Sequence, residues 1–272
     1  MAKEKTKTKS PFKDIADFDK EIKEFLNKNK SKVAEHSKRI SDYFEMCCFN
    51  YIVRFYQNTG FEISVQNLID GKYRYKCSAQ GVISNFSYFK VKKTIRKIDY
   101  IYDIHHNLAV QSYHNKKIYT TPDIIIVNEN KVEEDDEHYS GKKRFCFIPN
   151  SEIQTFCEVK QFNPFPELLF NFIGTVNELK NELIENFRLN PNEYTNTFHL
   201  APSLMISGKS NEHAERIRAS LQERYNINIL YDLFEVGLST FSAEKVKELK
   251  KMKTRKKKLY IVSKGKAVDI PF

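Results

Sequence analysis

A strand signal followed closely by a long amphipathic helix signal constrains the fold of this chain more than any other feature. The helix signal spans 165–184, "FPELLFNFIGTVNELKNELI", where apolar residues recur at steps of three and four, and Pro164 and Pro166 suit a first helical turn. The strand signal is "TFCEVK" at 155–160, with an aromatic residue, a cysteine and a valine. Because an amphipathic helix needs a second layer to cover its apolar face, the pair predicts a helix packed on a sheet.

The order of the other signals predicts an α/β fold with a mixed β-sheet flanked by helices. Further helix signals lie at about 12–33, 37–58 and 211–225. Strand signals lie at 61–66, 73–79, 98–104, 108–113, 122–127, 144–148, 198–207 and 227–231. We therefore predict three parts, which are a polar tail and N-terminal helix over 1–34, a core over 35–235 and a basic C-terminal extension over 236–272.

Composition limits the cellular setting. Hydrophobic residues make up 40% of the 272 residues, which suffices for a packed core, and no apolar run approaches the length that crosses a bilayer. The opening segment "MAKEKTKTKS" lacks the apolar centre of a signal peptide. The five cysteines have no CxxC spacing, so reduced buried thiols are expected. We expect a cytoplasmic protein without a membrane partner.

Positive charge is concentrated near the C-terminus. Between Glu244 and Lys266 there are eleven Lys/Arg and two Glu, a net charge of +9, which leaves about +1 of the total +10 for the rest. Such a block favours contact with a phosphate backbone, and a solubility tail is the alternative interpretation. The candidate nucleic-acid contacts are Lys250, Lys251, Lys253, Arg255, Lys256, Lys257 and Lys258.

Two carboxylates and a lysine are placed to meet at one sheet edge. Strand alternation puts Glu158 and Lys160 on the same face, and Asp123 opens another strand 35 residues before Glu158. If the two strands are neighbours, Asp123 reaches that face. Converging carboxylates are hard oxygen ligands suited to Mg²⁺, and a nearby lysine stabilises charge that develops on a phosphate. The alternative is a surface hairpin whose charges are only solvated.

These residues resemble the motif of the PD-(D/E)XK nucleases, which have the restriction-endonuclease-like fold. The matching stretches are Pro122-Asp123 and Glu158-Val159-Lys160. The resemblance implies Asp123 and Glu158 as metal ligands, Lys160 as the catalytic lysine, and Mg²⁺ or else Mn²⁺ as the cofactor. The core of that family is a helix, three strands, a helix and a strand, and the predicted order fits it from about residue 37 to 231.

Two further residues are candidates for this site. The family often adds an acid from the helix before the sheet, and here Glu45 falls in helical register with Cys48 and Ile52. An acid on an apolar stripe costs stability unless a partner compensates it, which favours Glu45 as a third metal ligand; a solvated helix margin is the alternative. Gln161 follows the lysine, and is either a catalytic residue that positions water or an ordinary strand-end residue.

Two other motifs are set aside, one as an ATP site and one as a metal site, although both segments could still contact nucleic acid. The segment "ISGKS" at 206–210 invites a phosphate-loop interpretation, but the full pattern needs a glycine where Ser203 stands. His105, His106 and His114 have no histidine or cysteine partner at a recognised metal-ligand spacing.

The sequence therefore predicts a magnesium-dependent endonuclease that hydrolyses DNA in restriction or phage defence. The expected partner is double-stranded DNA, and a homodimer is one assembly to be considered. The alternatives are a repair or junction nuclease, an RNA nuclease, and a non-catalytic nucleic-acid-binding protein of the same fold.

Overall fold

A computed structural model gives the architecture of most of the chain. The described residues are 32–33, 40–77, 81–135, 145–185, 191–256, 259–263 and 266–270. The predicted helix over 12–33 lies outside this part of the chain except for its last two residues, which form a short strand instead. None of the helices in the described ranges is long and apolar enough to cross a membrane.

The elements of the described residues are numbered in chain order. The helices are α1 (Ile40–Asn58), α2 (Pro166–Lys180), α3 (Glu182–Glu185), α4 (Glu212–Arg224) and α5 (Leu233–Thr240). The strands up to the middle of the chain are β1 (Lys32–Val33), β2 (Glu62–Gln66), β3 (Lys72–Tyr73), β4 (Tyr88–Ile95), β5 (Ile98–His106), β6 (Ala109–Gln111), β7 (Tyr119–Thr120) and β8 (Ile124–Asn128). The later strands are β9 (Glu133–Asp135), β10 (Phe145–Ile148), β11 (Ile153–Lys160), β12 (Tyr194–Leu200), β13 (Ser203–Ile206), β14 (Asn228–Leu230), β15 (Lys251–Arg255), β16 (Leu259–Ser263) and β17 (Lys266–Ile270).

A seven-stranded mixed sheet organises the molecule, in the order β14-β13-β11-β8-β5-β4-β2. From β2 to β11 neighbouring strands are antiparallel, whereas β11, β13 and β14 run parallel to one another. The parallel pair β11 and β13 is joined through a crossover that contains α2, as parallel strands require. The predicted α/β class with a mixed sheet flanked by helices is confirmed.

Helix α1 covers one face of this sheet. Its side chains Phe44, Cys48, Phe49, Ile52 and Val53 are buried, with exposures of 0%. They belong to one core cluster with strand residues of the same face, which include Ile104, Ile124, Ile126, Cys157 and Val159. Burying such a side chain stabilises the fold by about 1.5 to 3 kcal/mol, so this layer accounts for much of the stability.

Helices α2 and α4 cover the opposite face. The apolar stripe of α2 is Leu169, Phe172, Val176 and Leu179, and all four are buried as the periodicity predicts. Their cluster contains Ile125, Val127 and Phe156, which alternate along β8 and β11 with the residues that face α1.

Two strand predictions were wrong in detail, and strand β4 was missed. In β4 the buried residues Phe89 and Val91 alternate with Tyr88, Lys90 and Lys92. The predicted strand at 198–207 is two strands, β12 and β13, because the chain turns at Ala201 and Pro202. The predicted strand at 73–79 begins at Lys72 and ends at Tyr73.

Part of the region predicted as a basic extension packs on the core. The predicted boundary at 235 falls inside α5, which packs on α1 so closely that a Cβ at Gly237 would lie 2.4 Å from the Tyr51 ring. Phe241 stacks on the same ring, with centroids 5.5 Å apart. Strand β15 pairs with β12, and Met252 is buried. None of the five cysteines, which all lie in described ranges, forms a disulfide bond.

Candidate functional site

The structure brings Asp123, Glu158 and Lys160 together at one edge of the main sheet. Asp123 lies directly before β8, and the other two residues lie at the end of β11. These strands are antiparallel neighbours with Cys157 opposite Ile124, so the start of one meets the end of the other. The expectation that the two strands are neighbours is confirmed.

The lysine ammonium lies between the two carboxylates. Lys160 Nζ donates to Asp123 Oδ2 at 3.0 Å and to Glu158 Oε2 at 2.8 Å. The Val159 backbone N–H also donates to Asp123 Oδ2, at 2.6 Å. The carboxylate side chains are 13% exposed and the lysine side chain 31% exposed, so the cluster is partly buried but open to solvent. When both carboxylates are ionised, this cluster carries one more negative than positive charge.

Burial and charge together shift the proton equilibria of this cluster. Burial raises the pKa of Glu158, and the Asp123 carboxylate raises it further, which outweighs the opposing effect of Lys160. Burial by itself would lower the pKa of Lys160, but the charges of Asp123 and Glu158 prevail and raise it above its ordinary value. The lysine therefore stays charged at neutral pH, while the crowded carboxylates favour any further cation.

Glu45 reaches the same edge from the helix that covers one face of the sheet. It lies on α1 with its side chain 20% exposed, and Asn107 Nδ2 donates to its Oε2 at 3.2 Å. Burial raises the pKa of Glu45 to about 7, with a further contribution from Asp123. His106 Nε2 lies 3.6 Å from the same carboxylate oxygen. Burial lowers the pKa of His106 to about 3, so this contact joins a neutral ring to the acid.

Asn107 is a site residue that the sequence analysis missed. Its backbone adopts a left-handed conformation with φ of 49° between β5 and β6. Its N–H donates to the Asp123 carbonyl at 2.9 Å, and its own carbonyl accepts from Lys76 Nζ at 2.7 Å. Asn107 thus contacts both Glu45 and Asp123 and positions these two residues near the end of β5. Its type was the available signal, because asparagine is favoured where a chain turns with positive φ.

We expect Asn107→Gly to be more stable than Asn107→Ala. Both variants lose the amide that contacts Glu45, but alanine also suffers the left-handed strain of about 1 to 2 kcal/mol. Urea unfolding of the two proteins measures this difference. At exposed Asn171 in the middle of α2 the same pair of substitutions should rank the other way, because glycine costs a helix about 1 kcal/mol relative to alanine. An alanine variant as stable as the glycine variant at position 107 would contradict the left-handed backbone.

The segment after β11 is held in place by the turn after β13. The Ser207 N–H donates to the Lys160 carbonyl and the Gly208 N–H to the Phe162 carbonyl, both at 3.1 Å. A Cβ at Gly208 would lie 2.6 Å from the Phe162 carbonyl oxygen, so this approach requires glycine. Gln161 is partly buried, and its side chain forms no hydrogen bond with another described residue. Its role as a catalytic residue stays a prediction.

The donor chemistry of the cluster fits a hard divalent cation. In the described part of the chain no group of three or more His, Cys, Asp or Glu side chains is gathered as a ready-made metal site. Mg²⁺, however, is held in many proteins by one or two carboxylates and keeps several waters. The surplus negative charge and the raised pKa of Glu158 and Glu45 are what a cation at this edge would relieve. Asp123 and Glu158 are the residues that would hold it, with Glu45 as the third candidate.

Glu45→Gln should stabilise the metal-free protein at high pH. Because the folded pKa of about 7 exceeds the ordinary value of 4.5, the favourable effect of Glu45 on stability is complete below pH 4.5 and is lost as the pH rises through 7. Glu45→Gln cannot lose stability in this way. In EDTA its free energy of unfolding should therefore exceed that of the parent by an amount that grows from pH 5 to pH 8, to at most about 3 kcal/mol. Thermal melts measure it, with exposed Glu62→Gln as the control.

The same variant tests whether Glu45 belongs to the site. If Glu45 is a third metal ligand of the predicted nuclease, Glu45→Gln should cleave DNA more slowly than the parent protein and should need more Mg²⁺. Unchanged turnover across a Mg²⁺ titration would remove Glu45 from the site and leave it as a residue at the margin of α1.

The predicted nucleic-acid contacts in the described part of the chain lie away from the carboxylates. Lys250 directs its Nζ to the backbone carbonyls of Gln222 and Tyr225, and Arg255 Nη2 is paired with Glu193 Oε2 at 2.7 Å. Lys251 and Lys253 line a cleft, and Lys256 is exposed. Lys257 and Lys258 fall outside the described residues.

Comparisons of the chain with protein-family models, with curated proteins and with solved structures give no match.

Proposed function

We propose that this protein is a metal-dependent nuclease that hydrolyses phosphodiester bonds in DNA. The observation that carries the proposal is the cluster of Asp123, Glu158 and Lys160, two partly buried carboxylates around one ammonium group at the open edge of a sheet. Strongly perturbed titratable groups that face one another are typical of reaction centres.

The arrangement of elements supports a restriction-endonuclease-like core. The resemblance to PD-(D/E)XK nucleases implies a helix, three strands, a helix and a strand in this order. The chain contains them as α1, then β5, β8 and β11, then α2 and finally β13. Strands β2 and β4 extend the sheet at one edge. The stretch Pro122-Asp123 lies directly before β8, and Glu158-Val159-Lys160 ends β11, and these are the two middle strands of that core.

Each residue of the cluster has a distinct role in this proposal. A bound Mg²⁺ would supply polarisation of a phosphate oxygen and a water of lowered pKa. Asp123 and Glu158 hold the ion, and the Val159 N–H fixes the orientation of Asp123. Lys160 holds a positive charge beside the position where negative charge develops on the phosphate, and it stabilises that charge in the transition state.

The direct test incubates supercoiled plasmid with the pure protein and Mg²⁺, beside an EDTA control. The proposal expects nicked or linear DNA only where Mg²⁺ or Mn²⁺ is present. Cleavage of a matched RNA but not of DNA would identify RNA as the substrate. Binding without cleavage of either nucleic acid would favour the non-catalytic alternative. A role in restriction or phage defence stays a prediction from the sequence.

A further inference from the structure

A basic cleft of about 490 Å³ lies between β12, β15 and the turn before β14. Four lysines and two asparagines form most of its lining, and no carboxylate contributes. These residues are Asn196, Asn226, Lys247, Lys250, Lys251 and Lys253. The composition is that of a site for an anion.

One buried asparagine fixes the lysines of β15 in this cleft. Asn226 Nδ2 donates to the Lys251 carbonyl at 3.1 Å, and its Oδ1 accepts from the Lys253 N–H at 2.8 Å. Because strand residues alternate and Met252 is buried in the core, Lys251 and Lys253 point together to the opposite face. Hydrogen bonds to the backbone of β15 therefore help to fix the shape of the cleft, in addition to the packing of its side chains.

Two of the four lysines in the cleft carry a charge that no described carboxylate compensates. Neither Lys247 nor Lys251 forms an ion pair with a described carboxylate. Burial lowers the pKa of Lys250, and the charge of Lys253 lowers it further, which shows that the lysines repel one another. Like charges gathered on one surface raise the local concentration of anions.

Phosphate groups fit this cleft better than a base or another apolar ligand. Pockets for drug-sized ligands are lined mainly by apolar and aromatic side chains, whereas six of the seven residues that line this cleft are lysines and asparagines. Lys251 and Lys253 are two strand residues apart, a spacing of about 7 Å. This spacing exceeds the roughly 3.4 Å axial rise per phosphate of one strand of a duplex, but successive phosphates also turn about the helix axis, so the two lysines match neighbouring phosphates.

The cleft lies at the other end of the sheet from the candidate active site. Lys160 at the end of β11 is level with Ile206, whereas the start of β13 at Ser203 is level with the start of β14 at Asn228. The Lys250 carbonyl accepts from Asn228 Nδ2 at 3.0 Å, which fixes β15 at this starting end. The two ends of β13 alone are separated by about 10 Å along the strand.

We propose that this cleft binds the phosphate backbone of a nucleic acid. The inference does not require cleavage, because backbone contacts contribute affinity independently of any reaction. In the context of the proposed nuclease, one protein would hold DNA at both ends of its sheet.

The test compares Lys247→Gln/Lys251→Gln with the control Lys116→Gln/Lys117→Gln, which removes the same charge from an exposed loop. Binding of a labelled duplex to the full chain is measured in EDTA over a range of salt concentrations, with circular dichroism to verify folding. We expect weaker binding by the cleft variant and a slope of log affinity against log salt that is smaller by about 1.8, at about 0.9 for each lost phosphate contact. The control should keep the parent slope, and equal slopes in the two variants would overturn the proposal.

Two further arms separate the sources of phosphate and locate the contact on DNA. Inorganic tripolyphosphate should compete weakly with duplex DNA. If the cleft variant loses tripolyphosphate binding but keeps DNA binding unchanged, the ligand is a free polyphosphate, and the proposal is overturned. A hydroxyl-radical footprint on a long duplex should show protection that the cleft variant loses and the control variant keeps. A cleft variant with the footprint of the parent protein would also overturn the proposal. A protein that fails to cleave plasmid but shows both effects would refute the proposed nuclease activity and not this site.

Discussion

Glu158→Gln and Asp123→Asn should each abolish Mg²⁺-dependent cleavage of DNA while the protein stays folded. Each change keeps the size of the side chain but removes the charge that would hold a divalent ion. In Glu158→Gln the new amide oxygen can still accept a hydrogen bond from Lys160, so the local contact of this side chain persists in neutral form. Plasmid nicking over a range of Mg²⁺ concentrations measures the effect.

Stability separates a chemical loss from a folding defect in these variants. The folded pKa of Glu158 is raised, so its stabilising effect is present below its unfolded pKa and is lost as the pH rises through the folded value. Glu158→Gln should therefore melt no lower than the parent at pH 8 in EDTA. Glu152→Gln, just before the other end of β11, is the matched control and should cleave at the parent rate. Full nicking activity in either folded site variant would refute the assignment.

Lys160→Ala should lower the cleavage rate by about 10²- to 10³-fold, the usual cost of losing one group that stabilises charge in a transition state. The loss should appear in turnover more than in the Mg²⁺ requirement, because the lysine is not a ligand. Single-turnover cleavage at saturating Mg²⁺ measures this rate. Lys160→Met, which keeps most of the side-chain volume, should be equally slow if charge is the cause.

A nearby lysine provides the control for this effect. Lys209 has a side chain that is 66% exposed and is paired with Glu235 at 3.0 Å, so Lys209→Ala removes a positive charge from the next turn without touching the cluster. It should retain the parent rate. If Lys160→Ala also cleaves at the parent rate, Lys160 serves only to neutralise the two carboxylates.

The core of the candidate site was predictable because its signals are local. Alternation along β11 places Glu158 and Lys160 on one face, and a strand that begins directly after Asp123 brings it to the same edge. The apolar stripe of α2 follows from its three- and four-residue steps. These features depend on residues that are close in sequence.

The contacts that complete the site were not predictable, because they join distant segments. Asn107 meets Lys76 across 31 residues and Glu45 across 62 residues, and no local pattern encodes either contact. The charge of the basic block was evident from the sequence, but its position in the fold was not. Tertiary packing determines that β15 pairs with β12 and that Met252 is buried. Packing also directs Lys250 toward the end of α4.

The position of β8 and β11 within the sheet has a consequence for the thermodynamics of binding. Both strands have partners on two sides, and helices cover both of their faces. Their backbone thus becomes ordered when the whole domain folds, rather than when a ligand arrives. The conformational entropy of fixing Asp123 and Glu158 is lost once, during folding, and does not weaken each binding event.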